Sequence, residues 1–196
     1  MFFDIGDVLE VNLRTGWPER WAAHLGMTPD QLEQTLGKIW AAGSVGELSL
    51  EGVEGQIAVT FRLDEPAVRE LMDDVWEEYV GTLNHELADY FAGLRPAYRT
   101  GIVSNSVVGA REREQEAHRL GELCDVIVYS HEEGCLKPDP QIYRIACERL
   151  AVAPHSAVLL DDLDVNAEGA RAVGMNAIVY RNNAEAISQL RALLAR

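Results

Sequence analysis

Gly101-Ile102-Val103-Ser104-Asn105 is a short apolar run that ends in a hydroxyl and an amide, and its surroundings decide the fold. Three similar runs follow, Val126 to Tyr129, Ala157 to Leu160 and Ala177 to Tyr180, each succeeded by a helical pattern. Apolar runs this short, alternating with amphipathic segments, read as buried parallel strands joined by helical crossovers. Right-handed crossovers place helices on both faces of such a sheet. Phe2 and Phe3 supply one more strand. The expectation is an α/β fold, a Rossmann-like doubly wound parallel sheet of about five strands. Only Met1, Phe2 and Phe3 precede Asp4, whereas a buried strand usually has about five or six residues. The first strand therefore reads as clipped, either because the natural chain begins a few residues upstream or because the fold tolerates a short strand.

Working back from Gly101, the chain is helical in pattern: Gly16 to Leu25, Thr28 to Ala42, Ser49 to Phe61, Asp64 to Val80 and Asn84 to Leu94. Thr28 before Pro29, Ser49, and Asp64 before Pro66 suit helix starts, because a side-chain oxygen satisfies free amides and proline fits the first turn. Trp17, Trp21, Leu25 and Leu32, Leu36, Ile39, Trp40 recur at helical spacing, as in helices packed on one another. Strand signals are nearly absent here. Residues 13–80 thus read as an inserted helical bundle, with 1–12 and 81–196 forming the Rossmann-like core.

Composition excludes several functions. The chain carries 32 acidic against 17 basic residues, a net charge of -15, with no basic stretch, so its surface repels nucleic acid phosphates. No apolar run approaches the length of a membrane span and no export leader is visible, which makes the cytoplasm the expected compartment. Cys124, Cys135 and Cys147 lack metal-ligand spacing and read as free thiols. The five histidines are scattered.

In open parallel sheets the ligand crevice lies beyond the carboxyl ends of the strands. Asp4, Ser104-Asn105, Lys137 and Asp161-Asp162 fall there: a nucleophile candidate, a hydroxyl, a cation and a carboxylate pair.

These positions resemble, in order, the four motifs of the haloacid dehalogenase superfamily. Phe3-Asp4-Ile5-Gly6-Asp7-Val8-Leu9 is similar to the first motif, Ile102-Val103-Ser104-Asn105-Ser106 to the second and Lys137-Pro138-Asp139-Pro140-Gln141-Ile142-Tyr143 to the third. Leu160-Asp161-Asp162 with Asn166-Ala167-Glu168-Gly169-Ala170 is similar to the fourth. The helical insert sits where the family's helical cap belongs. The resemblance implies that Asp4 attacks phosphorus to give an acyl phosphate that water hydrolyses. It implies Mg2+ held by Asp4, the Gly6 carbonyl and Asp162. Lys137 would neutralise Asp4 and the transferring group, Ser104 and Asn105 would bind phosphoryl oxygens, and Asp161 and Asn166 would stand behind them, orienting Lys137 or the metal site.

One position departs from the pattern. Phosphatases of the superfamily usually carry a second aspartate two residues after the nucleophile, which protonates the leaving oxygen and later activates water; here that residue is Gly6. A glycine carbonyl still serves a metal, but no side chain remains for acid/base work, and Asp7 is expected to point elsewhere. The leading expectation is a magnesium-dependent phosphatase acting on a small phosphorylated metabolite, candidate substrates being those with an activated leaving group such as a sugar 1-phosphate or an acyl phosphate. A 2-haloacid dehalogenase-type hydrolase is the alternative, since a halide needs no proton; the Asp161-Asp162 pair suits a metal and counts against it. A binding or regulatory protein that has lost catalysis is the third reading. The insert is expected to close over the crevice and select the substrate, with Trp17 and Trp21 available to stack on a ring. Arg14 reads as an exposed surface arginine.

Overall fold

The structure is a computed structural model and describes residues 1–195. The chain runs β1 (Phe2–Phe3), β2 (Glu10–Val11), α1 (Trp17–Leu25), α2 (Pro29–Ser44), α3 (Leu50–Phe61), α4 (Glu65–Val80), β3 (Thr82–Leu83) and α5 (His85–Ala92). It continues through β4 (Gly101–Ser104), α6 (Ala110–His118), β5 (Val126–Tyr129), α7 (Ser130–Glu133), α8 (Pro140–Arg149), β6 (Val158–Asp161), α9 (Asp164–Ala172), β7 (Asn176–Val179) and α10 (Asn183–Leu194). Five strands form one parallel sheet in the order β5-β4-β1-β6-β7. The expected doubly wound sheet is present.

Register explains why two residues suffice for β1. Phe2 and Phe3 lie between Gly101 and Ile102 on one side and Leu159 and Leu160 on the other, so both neighbours supply pairing to a central strand. Alternation sends the two rings to opposite faces. Phe3 joins Phe91, Ile102, Leu160 and Ile178 in one cluster, while Phe2 joins Val103, Val128, Tyr143 and Leu159 in the other. Fully burying a side chain of this size contributes about 1.5–3 kcal/mol, so the two phenylalanines anchor both layers of the core.

The bundle α1–α4 has its own apolar interior, including Trp21, Leu32, Leu36, Ile57, Leu71 and Trp76, and it borrows Val107 and Ala110 from the segment after β4. Thr28, Ser49 and Asp64 cap their helices as their chemistry suggests, accepting from the main-chain N–H of Gln31, Gly52 and Ala67. Gly16 lies just outside α1 in the left-handed region (φ 73°). α2 continues two residues beyond Ala42, to Ser44.

Sequence reading overlooked β2 and β3, which pair antiparallel where the chain leaves and re-enters the sheet layer. Two-residue strands carry no periodicity to detect. The bundle touches the sheet layer through Val108 N–H donating to Gly43 O (3.2 Å) and Ser130 Oγ donating to Ser44 O (2.8 Å). Gly46 is required beside this contact: its φ is +69°, and a Cβ there would sit 2.2 Å from His131 O. Among the described residues no helix is long and apolar enough to cross a membrane.

Candidate active site

Asp4 follows β1, and its main-chain N–H donates to Leu160 O at 2.9 Å, extending the β1–β6 ladder by one bond. Its Oδ1 accepts from Ile5 N–H (2.8 Å) and lies 2.7 Å from Lys137 Nζ. Lys137 comes from the loop between α7 and α8. Its ammonium is fully buried and also donates to Asp161 Oδ2 at 2.6 Å. Asn105, one residue past β4, clasps that loop: its Nδ2 donates to Lys137 O (2.9 Å) and its Oδ1 accepts from Lys137 N–H (2.7 Å).

Asp161 ends β6, and both of its oxygens accept hydrogen bonds. Its Oδ1 accepts from Leu163 N–H (3.0 Å) and Asn166 Nδ2 (2.9 Å), while its Oδ2 holds Lys137. Asn166 is buried on α9, and its carbonyl accepts from Tyr143 Oη at 2.8 Å. Gly169 lets α9 come this close, since a Cβ there would meet Pro138 at 2.8 Å and Tyr143 Oη at 2.9 Å. Ser104 is buried at the end of β4. The register of β1 on β4 puts Asp4 level with Val103 and Ser104 one residue further out.

Electrostatically the cluster is short of positive charge. Asp4, Asp161 and Asp162 each offer an oxygen within 4.8 Å of the others, and Lys137 is the cation paired with two of them. Burial raises the Asp4 carboxyl to about 7, with Lys137 opposing the rise and Asp161 adding to it. Burial, then the charge of Asp161 and more weakly that of Asp7, also raises Asp162. Burial alone would lower Lys137, but its two carboxylate partners hold it above the ordinary lysine value, so it stays charged. A divalent cation fits such a surplus of carboxylate oxygen. Asp161 has both oxygens engaged, which leaves Asp4 and Asp162 as the carboxylates with capacity for a metal.

Two openings are candidates for a substrate. The larger, about 740 Å3, is lined by Arg95, Arg99 and Val126 at the amino ends of β4 and β5, away from the cluster. The smaller, about 330 Å3, lies between the bundle and the loop Asn105-Ser106-Val107 that leaves β4. Open parallel sheets bind ligands at their carboxyl ends, and this second cavity is the one at that end.

The sequence from residue 3 to 174 matches the family model of haloacid dehalogenase-like hydrolases. The chain belongs to that family. It is 30% identical over 114 residues to bifunctional epoxide hydrolase 2 of Rattus norvegicus, across 56% of this chain but 21% of that protein. It is 26% identical to D-ribitol-5-phosphate phosphatase of Bacteroides thetaiotaomicron, across 64% of this chain and 66% of that protein. The curated relatives it matches are thus longer than the region they share with it. A Bacteroides thetaiotaomicron enzyme of the same family, crystallised with magnesium and inorganic phosphate, superposes with a TM-score of 0.77 at 17% identity, covering 92% of each chain.

Two features of this haloacid dehalogenase-like hydrolase bear on its acid/base chemistry. Gly6 has open space where a side chain would stand, with nothing within 4 Å of an added Cβ, and Asp7 beside it is exposed with a φ of 54°. Sequence reasoning also missed a buried acidic group. Glu10 on β2 and Glu114 on α6 are each within 1% of full burial, and each has an Oε1 without a partner. Tyr129 Oη donates to Glu114 Oε2 at 2.6 Å. Burial raises Glu10 to about 9, reinforced by the charges of Glu114 and Asp4, and raises Glu114 to about 7. The available signals were a glutamate directly after the apolar Val8-Leu9, and Glu114 four residues from Ala110 on one helix face. Neither signal reveals burial unaided. Of the tryptophans singled out for stacking, Trp17 lines the smaller cavity, whereas Trp21 is buried and donates from Nε1 to Asp74 Oδ2 at 2.7 Å. Trp21 belongs to the bundle interior, and its place at the cavity is taken by Trp40.

Proposed function

We propose that this chain is a cytoplasmic phosphatase that hydrolyses the phosphomonoester of a small metabolite through a phosphorylated Asp4. The observation that carries the reading is Lys137, fully buried and shared between Asp4 and Asp161, beside a third carboxylate, Asp162. That arrangement suits a site that receives a dianionic phosphoryl group only when further positive charge is present. Asp4, Asp162 and the Gly6 carbonyl would hold magnesium, which when bound supplies that charge. Asp4 attacks phosphorus, Lys137 neutralises the growing negative charge, and the Ser104 hydroxyl donates to a phosphoryl oxygen. Asp161 and Asn166 hold Lys137 in place, and Asn105 fixes the loop that carries it. We assign residues 13–80 the part of a cap over a core made of 1–12 and 81–196. A dehalogenase has no use for a carboxylate such as Asp162, whose remaining capacity suits a hard cation. The test is release of inorganic phosphate from a panel of phosphomonoesters with magnesium and with chelator. Turnover only with magnesium supports the reading; halide release without metal would replace it.

Two predictions follow from the site's charge and space. Asp4 titrates near 7 in the folded, metal-free protein against 3.8 as its ordinary value. A raised carboxyl contributes stability that is fully present below its unfolded value and is lost as pH rises through its folded value, here between about 4 and 7. A cation must displace that proton, so magnesium binding should strengthen by up to about tenfold per pH unit below 7 and level off above it. Thermal melts should accordingly show a larger magnesium-induced rise in Tm at pH 8 than at pH 6; equal rises would contradict the assignment of Asp4 as a ligand. Secondly, Gly6→Asp has room to fold and should restore a general acid. We expect alkyl phosphates to be cleaved faster by about 100-fold or more, with little change for acyl phosphates, when kcat is compared between the two classes.

A further inference from the structure

We propose that the natural substrate is a small aryl phosphate, a monoester whose bridging oxygen is attached to an aromatic ring and whose remainder carries no second anionic group. The inference rests on the phosphatase reading and adds the chemistry of the leaving group. Two independent observations converge on it.

The first is the wall of the 330 Å3 cavity, which brings together Trp17 from α1, Trp40 from α2 and Tyr79 from α4 over a floor of Asn105, Ser106 and Val107. That floor begins one residue after Ser104, and Asn105 is tied to the Lys137 main chain, so the cavity borders the loops that carry Ser104 and Lys137. Ligand pockets span roughly 300–1,000 Å3, which limits this one to a leaving group of about one ring. Three aromatic side chains from three helices make surfaces for a flat apolar group. No lysine, arginine or histidine among the described residues lines the cavity, and the one charged side chain there is Glu78, whose Oε2 accepts from Thr15 N–H (2.8 Å) and Oγ1 (3.0 Å). A second phosphate or a carboxylate on the leaving group would face Glu78 without a counter-ion, in a chain of net charge -15. Arg14, the nearby basic residue of the sequence, is exposed and not part of the wall.

The second is the gap at Gly6. Asp4 attacks phosphorus, the bond between phosphorus and the ester oxygen breaks, and the electron pair departs on that oxygen. An alkoxide leaving in this way needs a proton, which position 6, a glycine, has no side chain to supply. A phenolate is stabilised by its ring and leaves unprotonated, taking its proton from water afterwards. Water then attacks the phosphorus of the aspartyl phosphate, returning the Asp4 carboxylate and releasing inorganic phosphate. The ring that fits the wall is thus also the ring that makes the missing acid dispensable.

The test compares kcat/KM of the full chain with magnesium for phenyl phosphate, acetyl phosphate and 3-phosphoglycerate, in the wild type, Trp40→Ala and Trp17→Ala. Phenyl phosphate should exceed 3-phosphoglycerate by at least about 100-fold. The ratio of phenyl to acetyl phosphate should fall about tenfold in each variant, through KM for the phenyl ester; using a ratio removes any general loss of folded enzyme. Equal or better use of 3-phosphoglycerate, or a ratio unchanged in both variants, overturns the inference. Hydrolysis of acetyl phosphate but not phenyl phosphate overturns it while leaving the phosphatase reading standing. Silence on all three, acetyl phosphate included, overturns the phosphatase reading and the inference with it.

Discussion

Asp4→Asn should abolish phosphate release, lowering kcat by on the order of a thousandfold or more, while the protein remains folded. The amide keeps the shape of the carboxylate and an oxygen for Ile5 N–H and Lys137 Nζ to donate to, but it removes the nucleophile. Stability should barely move. Ionised Asp4 is disfavoured by burial and by Asp161, so neutralising it relieves a cost that offsets the weaker contact with Lys137. We expect Tm within about 4 °C of the wild type, equivalent to about 1 kcal/mol for a chain of this size. Magnesium should lose much of its effect on Tm in the same variant. Circular dichroism melts beside a phosphate-release assay check all three parts; a folded variant with substantial turnover would remove Asp4 from the chemistry.

Lys137→Met should cost the most stability of any single change at the site. Its ammonium is fully buried and bridges two carboxylates at 2.7 and 2.6 Å. Methionine fills a similar volume but leaves Asp4 and Asp161 buried without a counter-charge. Removing one partner of a buried ion pair typically costs about 3–5 kcal/mol, which for a domain this size is roughly 10 °C in Tm. The penalty should shrink as pH falls below 7, because Asp4 takes up a proton there even with Lys137 present. Activity should vanish as well, since the growing charge on the phosphoryl group loses its neighbour. Urea denaturation at pH 8 and pH 5.5 tests the claim; a variant as stable as the wild type at both would mean that the bridge does not hold the site.

Much of this was legible in the sequence, and the reasons are physical. The four runs after Phe3 have strand length and helical followers, so the sheet and its carboxyl-end residues could be placed from periodicity. Asp4, Lys137 and Asp161 were found because they are charged groups at or near strand ends, and Asn166 through the fourth motif; the structure joins the four in one chain of contacts. β2 and β3 were not legible, since a two-residue strand has no period. Glu10 and Glu114 escaped because nothing in sequence reveals that residues 104 positions apart in the chain share a buried pocket. Helical spacing identified the apolar face that carries Trp17, Trp21 and Trp40, but not which ring meets the cavity. That depends on how α1, α2 and α4 pack, and it turned Trp21 inward to Asp74. The Asn105 side chain is paired with the Lys137 main chain, a long-range contact no local pattern encodes.

A phosphoryl group carried by Asp4 can be read directly in a single-turnover experiment. Enzyme in excess is mixed with phenyl phosphate or acetyl phosphate and magnesium, quenched in acid over a time course, digested and analysed by mass spectrometry. A transient phosphoryl adduct should appear on the peptide containing Asp4, formed before free phosphate appears and decaying as it is released. Phosphate release with an adduct on a different residue, or with Asp4 unmodified throughout while product accumulates, would contradict it.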